Sequence, residues 1–161
     1  MQTITPFLWF NDNVDEAVQF YTSIFKDTEV LKTVRYTDAG PGPKGTIMTA
    51  VFRLQGQEFI ALNGGPIFKF TEAISFVVNC DNQEEVDELW EKLSEGGEKS
   101  RCGWLKDKFG LSWQVVPTVL PKLLGGPDAE RTKRVMQAMM QMDKIQINVL
   151  QEAYDNVPAT V

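Results

Sequence analysis

The stretch Ile4-Thr-Pro-Phe-Leu-Trp-Phe-Asn-Asp-Asn-Val-Asp-Glu-Ala-Val-Gln-Phe-Tyr21 has a counterpart later in the chain, Ala73-Ile-Ser-Phe-Val-Val-Asn-Cys-Asp-Asn-Gln-Glu-Glu-Val-Asp-Glu-Leu-Trp90. Each begins with apolar, β-branched and aromatic residues and reads as a strand, over 3–10 and 73–80. Pro6 lies inside the first run and favours an edge position or an irregular pairing, because proline has no N–H to donate. Each run then ends on Asx residues, Asn11-Asp12-Asn13 and Asp81-Asn82. Asn13 with Glu16, and Asn82 with Glu85, have the spacing of a capping box with Asn in place of Ser or Thr. Apolar residues follow at helical spacing: Val14, Ala17, Val18, Tyr21, Ile24 and Phe25, then Val86, Leu89, Trp90 and Leu93.

Three strand patterns follow each helix. In the first half they cover 29–36, 46–54 and 58–62, separated by the Gly/Pro loop 38–45 and the turn Gln55-Gly56-Gln57. In the second half Gly96-Gly97 stops the helix, and short strands are expected over 99–102, 104–107 and 111–116. The halves share an order rather than an identity, so the repeat is architectural. The expected fold class is α+β: one domain of two βαβββ modules, 1–66 and 67–118, with a C-terminal helical extension over 119–161. In that extension Asp128 can cap a helix running to about Met142, and a second helix is expected over 145–154. Met136, Met139, Met140 and Met142 form a stripe suited to packing against the body or a second subunit.

Composition excludes several function classes. The 161 residues carry a net charge of −6 and no Lys/Arg cluster, so no nucleic-acid partner is expected. No apolar stretch is long enough to span a bilayer, and the N-terminal residues lack the pattern of a secretory signal, so a cytoplasmic protein without a membrane partner is expected. Cys80 and Cys102 form no C-x-x-C pair and no disulfide framework. There is no histidine at all. That removes every Ser-His-Asp or Cys-His device and the commonest ligand for transition metals.

Several stretches together resemble the PhnB-like branch of the glyoxalase / bleomycin resistance / dioxygenase (vicinal oxygen chelate) superfamily. They are Ile4 to Phe10; Ala17 to Tyr21 with Ile24-Phe25; Leu62-Asn-Gly-Gly-Pro66 with Phe68-Lys-Phe70; Ala73 to Phe76; Gly103 to Gly110; Ser112-Trp-Gln114; and Arg134 to Met139 with Met142-Asp-Lys-Ile145. The resemblance implies paired modules whose mixed sheets curl into a cup, and a homodimer. In the superfamily's metalloenzymes it also implies a divalent ion held by His and Glu on the first and last strands of each module. At those positions this chain is expected to carry Thr5, Ala61 or Asn63, Ala73 and Gln114. A neutral amide lacks the charge with which a carboxylate holds such a metal. No metal and no cofactor are therefore expected. Some members of the branch are labelled as ubiquinone-pathway (3-demethylubiquinone) methyltransferases. A doubly wound methyltransferase would need a glycine-rich turn after its first strand, and Asn11-Asp12-Asn13 has none.

Strand alternation assigns faces. If Leu8 and Phe10 pack under the first helix, Thr5, Phe7 and Trp9 face the cup, as do Ser75 and Gln114 from the fifth and eighth strands. Asn63 is placed at the mouth of the fourth strand, and Trp104 is a further candidate. Aromatic walls with a few neutral hydrogen-bonding groups suit a small organic ligand. The expected function is metal-independent binding of such a molecule. The alternatives are a superfamily-type lyase or dioxygenase with a nonstandard metal site, and an assembly role for the C-terminal extension. Glu58, Arg101, Lys106 and Asp107 are the charged candidates for acid–base work, but nothing in their spacing marks an activated group.

Overall fold

The computed structural model describes residues 2–157. The chain divides into two compact units that meet between Phe70 and Thr71. The first contains β1 (Phe7–Phe10), α1 (Val14–Ile24), β2 (Thr28–Arg35), β3 (Ile47–Leu54) and β4 (Gln57–Asn63). Its sheet has the order β1-β4-β3-β2, with β1 and β4 parallel and the other pairs antiparallel.

The second unit repeats that plan. Its strands are β5 (Ser75–Cys80), β6 (Glu98–Lys99), β7 (Trp104–Lys106) and β8 (Ser112–Pro117), with α2 (Gln83–Ser94) after β5. The order is β5-β8-β7-β6, again with first and last strands parallel. Both halves therefore have the βαβββ order that the sequence implies. Three further helices follow: α3 (Val119–Leu124), α4 (Ala129–Met139) and α5 (Ile147–Asp155).

One face of each sheet packs against its helix. In the first unit Leu8, Phe10, Ala50, Phe52, Leu54, Phe59 and Ala61 are buried, together with Val14, Ala17, Val18 and Tyr21 of α1. The Phe52 ring stacks on Tyr21 and on Phe59. In the second unit Val78, Cys80, Leu105, Trp113 and Val115 are buried, with Val86, Trp90 and Leu93 of α2. Removing these apolar surfaces from water is what holds each helix on its sheet.

The structure corrects the expected boundaries in physically informative ways. The first strand begins at Phe7 rather than residue 3. Pro6 stands outside it, where its carbonyl accepts the Ile60 N–H and its missing donor is of no consequence. The Asn82 cap forms as expected: its side chain accepts from the Glu85 N–H, and the Glu85 carboxylate accepts from the Asp81 N–H. The Asn13 cap does not form. The Val14 N–H is taken instead by Oδ1 of Asn63 at 3.0 Å, from the end of β4. The Asn63 amide also donates to the Ile47 carbonyl, and its own carbonyl accepts from the Tyr36 hydroxyl at 2.5 Å. One carboxamide thus ties α1, β3 and β4 together.

The strand expected over 99–102 stops at Lys99. Cys102 and Gly103 turn with φ of 57° and 82° and donate to the carbonyls of Met142 and Asp143. A Cβ on residue 103 would stand 2.7 Å from the Val115 carbonyl oxygen, so only glycine fits this approach. The first long C-terminal helix ends at Met139 rather than about Met142 because the chain tightens there, with the Gln141 and Met142 N–H groups bonding three residues back. Asp128 caps it through the Glu130 and Arg131 N–H groups. The short helix α3 was hidden by Pro121, which its first turn tolerates.

The C-terminal helices close on the second unit through their own small core of Leu120, Leu123, Val135, Ile145 and Leu150. Met139 and Met142 pack against that core, whereas Met136 and Met140 are exposed. Gln83 of α2 docks the segment. Its amide donates to the Ile145 carbonyl and accepts the Ile147 N–H. Lys144 pairs with Asp87 at 2.8 Å and holds that carboxyl below its usual range, helped by a hydrogen bond from Gln83.

Asp107 organises the turn between β7 and β8. Its Oδ1 accepts from the N–H groups of Phe109 and Leu111, and its Oδ2 accepts from the Trp113 indole. The residue is buried, so removing the carboxylate would orphan three donors. Asp107→Ala is expected to lower unfolding stability by about 3 kcal/mol or more, and Asp107→Asn by less, in urea titrations. Asn63→Ala is expected to cost roughly 1–3 kcal/mol in the same measurement, with hydrogen exchange rising first at the start of α1.

Candidate ligand surface

The faces of the two sheets that turn away from the helices carry the candidate site residues, and strand pairing shows which residues share them. In the first unit Phe7 stands beside Ile60 and Trp9 beside Leu62. Thr5 is half-buried just before the strand, and Phe7 is 56% exposed. Trp9 is half-buried, donates its indole N–H to the Gly65 carbonyl, and meets Phe68 edge-on at 5.0 Å. A Cβ on residue 64 would lie 2.3 Å from the Trp9 ring, so the glycine lets the chain close over the indole.

In the second unit Ser75 pairs with Ser112, Val77 with Gln114, and Trp104 with Gln114 on the other side. Gln114 donates to the Ser75 hydroxyl at 2.9 Å. Ser75, Trp104 and Gln114, chosen from strand parity and resemblance, are therefore neighbours on one surface. Thr5, Phe7 and Trp9 share the corresponding surface of the first unit. Asn63 does not join them: it lies on the helix side with Phe59 and Ala61 and holds the α1 cap.

The repeat relates residues of one unit to residues of the other. Leu8 and Phe10 correspond to Val78 and Cys80 as the buried residues of the first strand of each unit. Phe7 then corresponds to Val77, and Thr5 to Ser75. Phe7 pairs with Ile60 and Val77 with Gln114, so Ile60 is the counterpart of Gln114. Ala61 and Asn63 point to the opposite face, and Ala73 lies in the turn before β5. Thr5 and Ile60 in the first unit thus correspond to Ser75 and Gln114 in the second. Neither pair has an anionic donor, so neither by itself fits a divalent transition metal, and among the described residues no group of three or more His, Cys, Asp or Glu side chains comes together.

Glu58, Asp107 and Lys106 have structural partners. Glu58 pairs with Arg53, which also holds Glu29. Asp107 is the turn-former described above, and Arg101 is exposed. Lys106 differs, because it stands on the open face of β7 and reaches Glu72 at 2.7 Å and Glu98 at 3.6 Å. The Glu72 hydrogen bond raises the Lys106 ammonium above its usual range, and the same bond lowers the Glu72 carboxyl. Sequence reading missed Glu72, Glu98 and Ser112 as neighbours of Lys106. Their association depends on pairing between β6, β7 and β8, which no local pattern announces. Burial pushes the Cys80 thiol up to about 11, which keeps it from acting as a nucleophile, and Cys102 donates to the Met139 carbonyl.

Comparison with known proteins agrees with this architecture. A family model described as 3-demethylubiquinone-9 3-methyltransferase matches residues 2–116. A PhnB protein from Bacillus cereus, provisionally described as a 3-demethylubiquinone-9 3-methyltransferase, is 39% identical with a TM-score of 0.67, covering 73% of this chain and 100% of its own. The protein PA1353 from Pseudomonas aeruginosa is 25% identical, with a TM-score of 0.61 over 73% of this chain and 98% of its own. The fosfomycin resistance protein FosX from Listeria monocytogenes, at 17% identity and a TM-score of 0.56 over 75% of this chain and 94% of its own, shares the fold. No curated protein matches the chain. The chain belongs to the family described as 3-demethylubiquinone-9 3-methyltransferase, the PhnB-like branch of the vicinal oxygen chelate superfamily.

Proposed function

We propose that the protein binds a small organic molecule on an open sheet face and does so without a bound metal. What supports this reading is that the open face of each sheet offers neutral groups at equivalent positions, Thr5 and Ile60 in the first unit and Ser75 and Gln114 in the second. Aromatic side chains on the same faces, Phe7 and Trp9 in the first unit and Trp104 in the second, supply contact area. Ser75 and Gln114 supply a hydrogen-bonded pair that can orient a ligand. Exposed apolar groups such as Phe7 and Val77 gain from being covered by a ligand or by a second copy of the chain.

The methyltransferase in the family description is not part of this reading. Each sheet is a four-stranded mixed sheet rather than a doubly wound parallel one, and β1 passes to α1 through Asn11-Asp12-Asn13 without a glycine-rich turn.

Thermal-shift screening of the purified chain with aromatic organic compounds, in the presence and absence of a chelator, tests the proposal. The expected result is stabilisation by at least one aromatic compound that survives chelation and falls at least about fivefold in affinity in Gln114→Ala, the loss of an orienting hydrogen bond at a desolvated contact. Stabilisation that requires one divalent metal per chain would overturn it.

A further inference from the structure

We propose that the groove at the β6–β7–β8 corner of the second unit takes a protonated amine carried on a flat aromatic molecule. This rests on the reading above, that an open sheet face takes a small organic ligand, and it names the ligand's chemical class. The groove has a volume of about 270 Å³ and is lined by Glu72, Glu98, Ser100, Trp104, Lys106 and Ser112, among others.

Three observations point to that chemistry. The first is charge. Lys99 borders the groove, but its ammonium is held by both carboxylate oxygens of Glu91 at 2.8 Å, so its charge is matched there. Lys106 is the one ammonium shared by Glu72 and Glu98. Among the described residues that line the groove, two carboxylates stand against one cation not already matched, which leaves one negative charge in excess. Glu98 is the loose partner. At 3.6 Å its contact with Lys106 lies beyond hydrogen-bond range, and its side chain is 77% exposed. Its oxygens remain able to accept from a second cation.

The second observation is the aromatic wall. Trp104 is half-buried and lines the groove beside these carboxylates. An indole face attracts a cation through its quadrupole and offers a flat surface to an aromatic ring. The third is a buried hydroxyl without a partner. Ser112 is 1% exposed, and its Oγ has no hydrogen-bond partner among the described residues. An unpaired buried hydroxyl is costly, and here it belongs to a residue that lines the groove. It can accept from an ammonium or from a ring substituent. A carboxylate ligand would meet Glu72 and Glu98 and is disfavoured by like charge.

The test uses the whole chain and three probe amines, 2-phenylethylamine, tyramine and tryptamine, against 3-phenylpropionate as an anionic shape mimic. Binding is followed by calorimetry and by NMR of the Trp104 indole N–H. The expected result is that at least one amine binds and the carboxylate binds at least about tenfold more weakly, the discrimination that one desolvated charge contact gives. Glu98→Gln and Trp104→Leu should each weaken amine binding about fivefold or more, and Ser112→Ala should weaken it with the thermal midpoint unchanged or raised. Equal or tighter binding of the carboxylate, amine binding unchanged in Glu98→Gln, or no binding of any of the three amines overturns the amine assignment. If an uncharged or anionic aromatic compound is instead bound, weakened by Gln114→Ala but not by Glu98→Gln, the open-face reading stands while the amine reading fails.

Discussion

The parallel pairing of the first and last strands in each βαβββ unit is the constraint on which everything else depends. A parallel pair needs a long connection, and here the helix and two intervening strands supply it. The helix crosses one face of the sheet, so that face becomes core and the opposite face is left open. Phe7 with Ile60, and Val77 with Gln114, are neighbours for no other reason. Once these registers are set, period-two alternation distributes every remaining strand residue between a packed side and a free side.

The two units satisfy the start of their helices in different ways. In the second, Asn82 and Glu85 cap α2 from within the local sequence. In the first, the cap comes from Asn63, far along the chain. A residue whose carboxamide caps a helix and clamps a neighbouring strand, and whose backbone receives a tyrosine, is a piece of scaffold. The contrast with Gln114 is instructive. Both are neutral amides on equivalent strands, but Gln114 is on the open face and donates to Ser75 there.

The C-terminal helices solve a different problem. The second unit has short strands at its β6 and β7 side, and a two-stranded corner of that size is weak alone. The turn at Cys102-Gly103 hands its N–H groups to the Met142 and Asp143 carbonyls, and Gln83 holds the Ile145–Ile147 backbone. Ile145 and Leu150 then complete a small core. The Met-rich stripe divides accordingly: two methionines pack inward and two remain exposed.

The amino-acid sequence by itself determined the repeated strand–Asx–helix order, the buried faces of both helices, the Asp128 and Asn82 caps, and the lack of any imidazole. Each is a local matter of periodicity, side-chain chemistry or composition, legible over a few turns of chain. Tertiary structure decided what depends on distant backbone pairing. It put Ile60 on the open face beside Phe7 and left Ala61 and Asn63 on the helix side, because successive residues of a strand face opposite ways. It made Asn63 a cap, because the orphan N–H of Val14 takes the nearest acceptor in space rather than in sequence. It gathered Glu72, Glu98, Lys106, Trp104 and Ser112 around one groove, because a local pattern can mark a strand but not the neighbours with which it pairs.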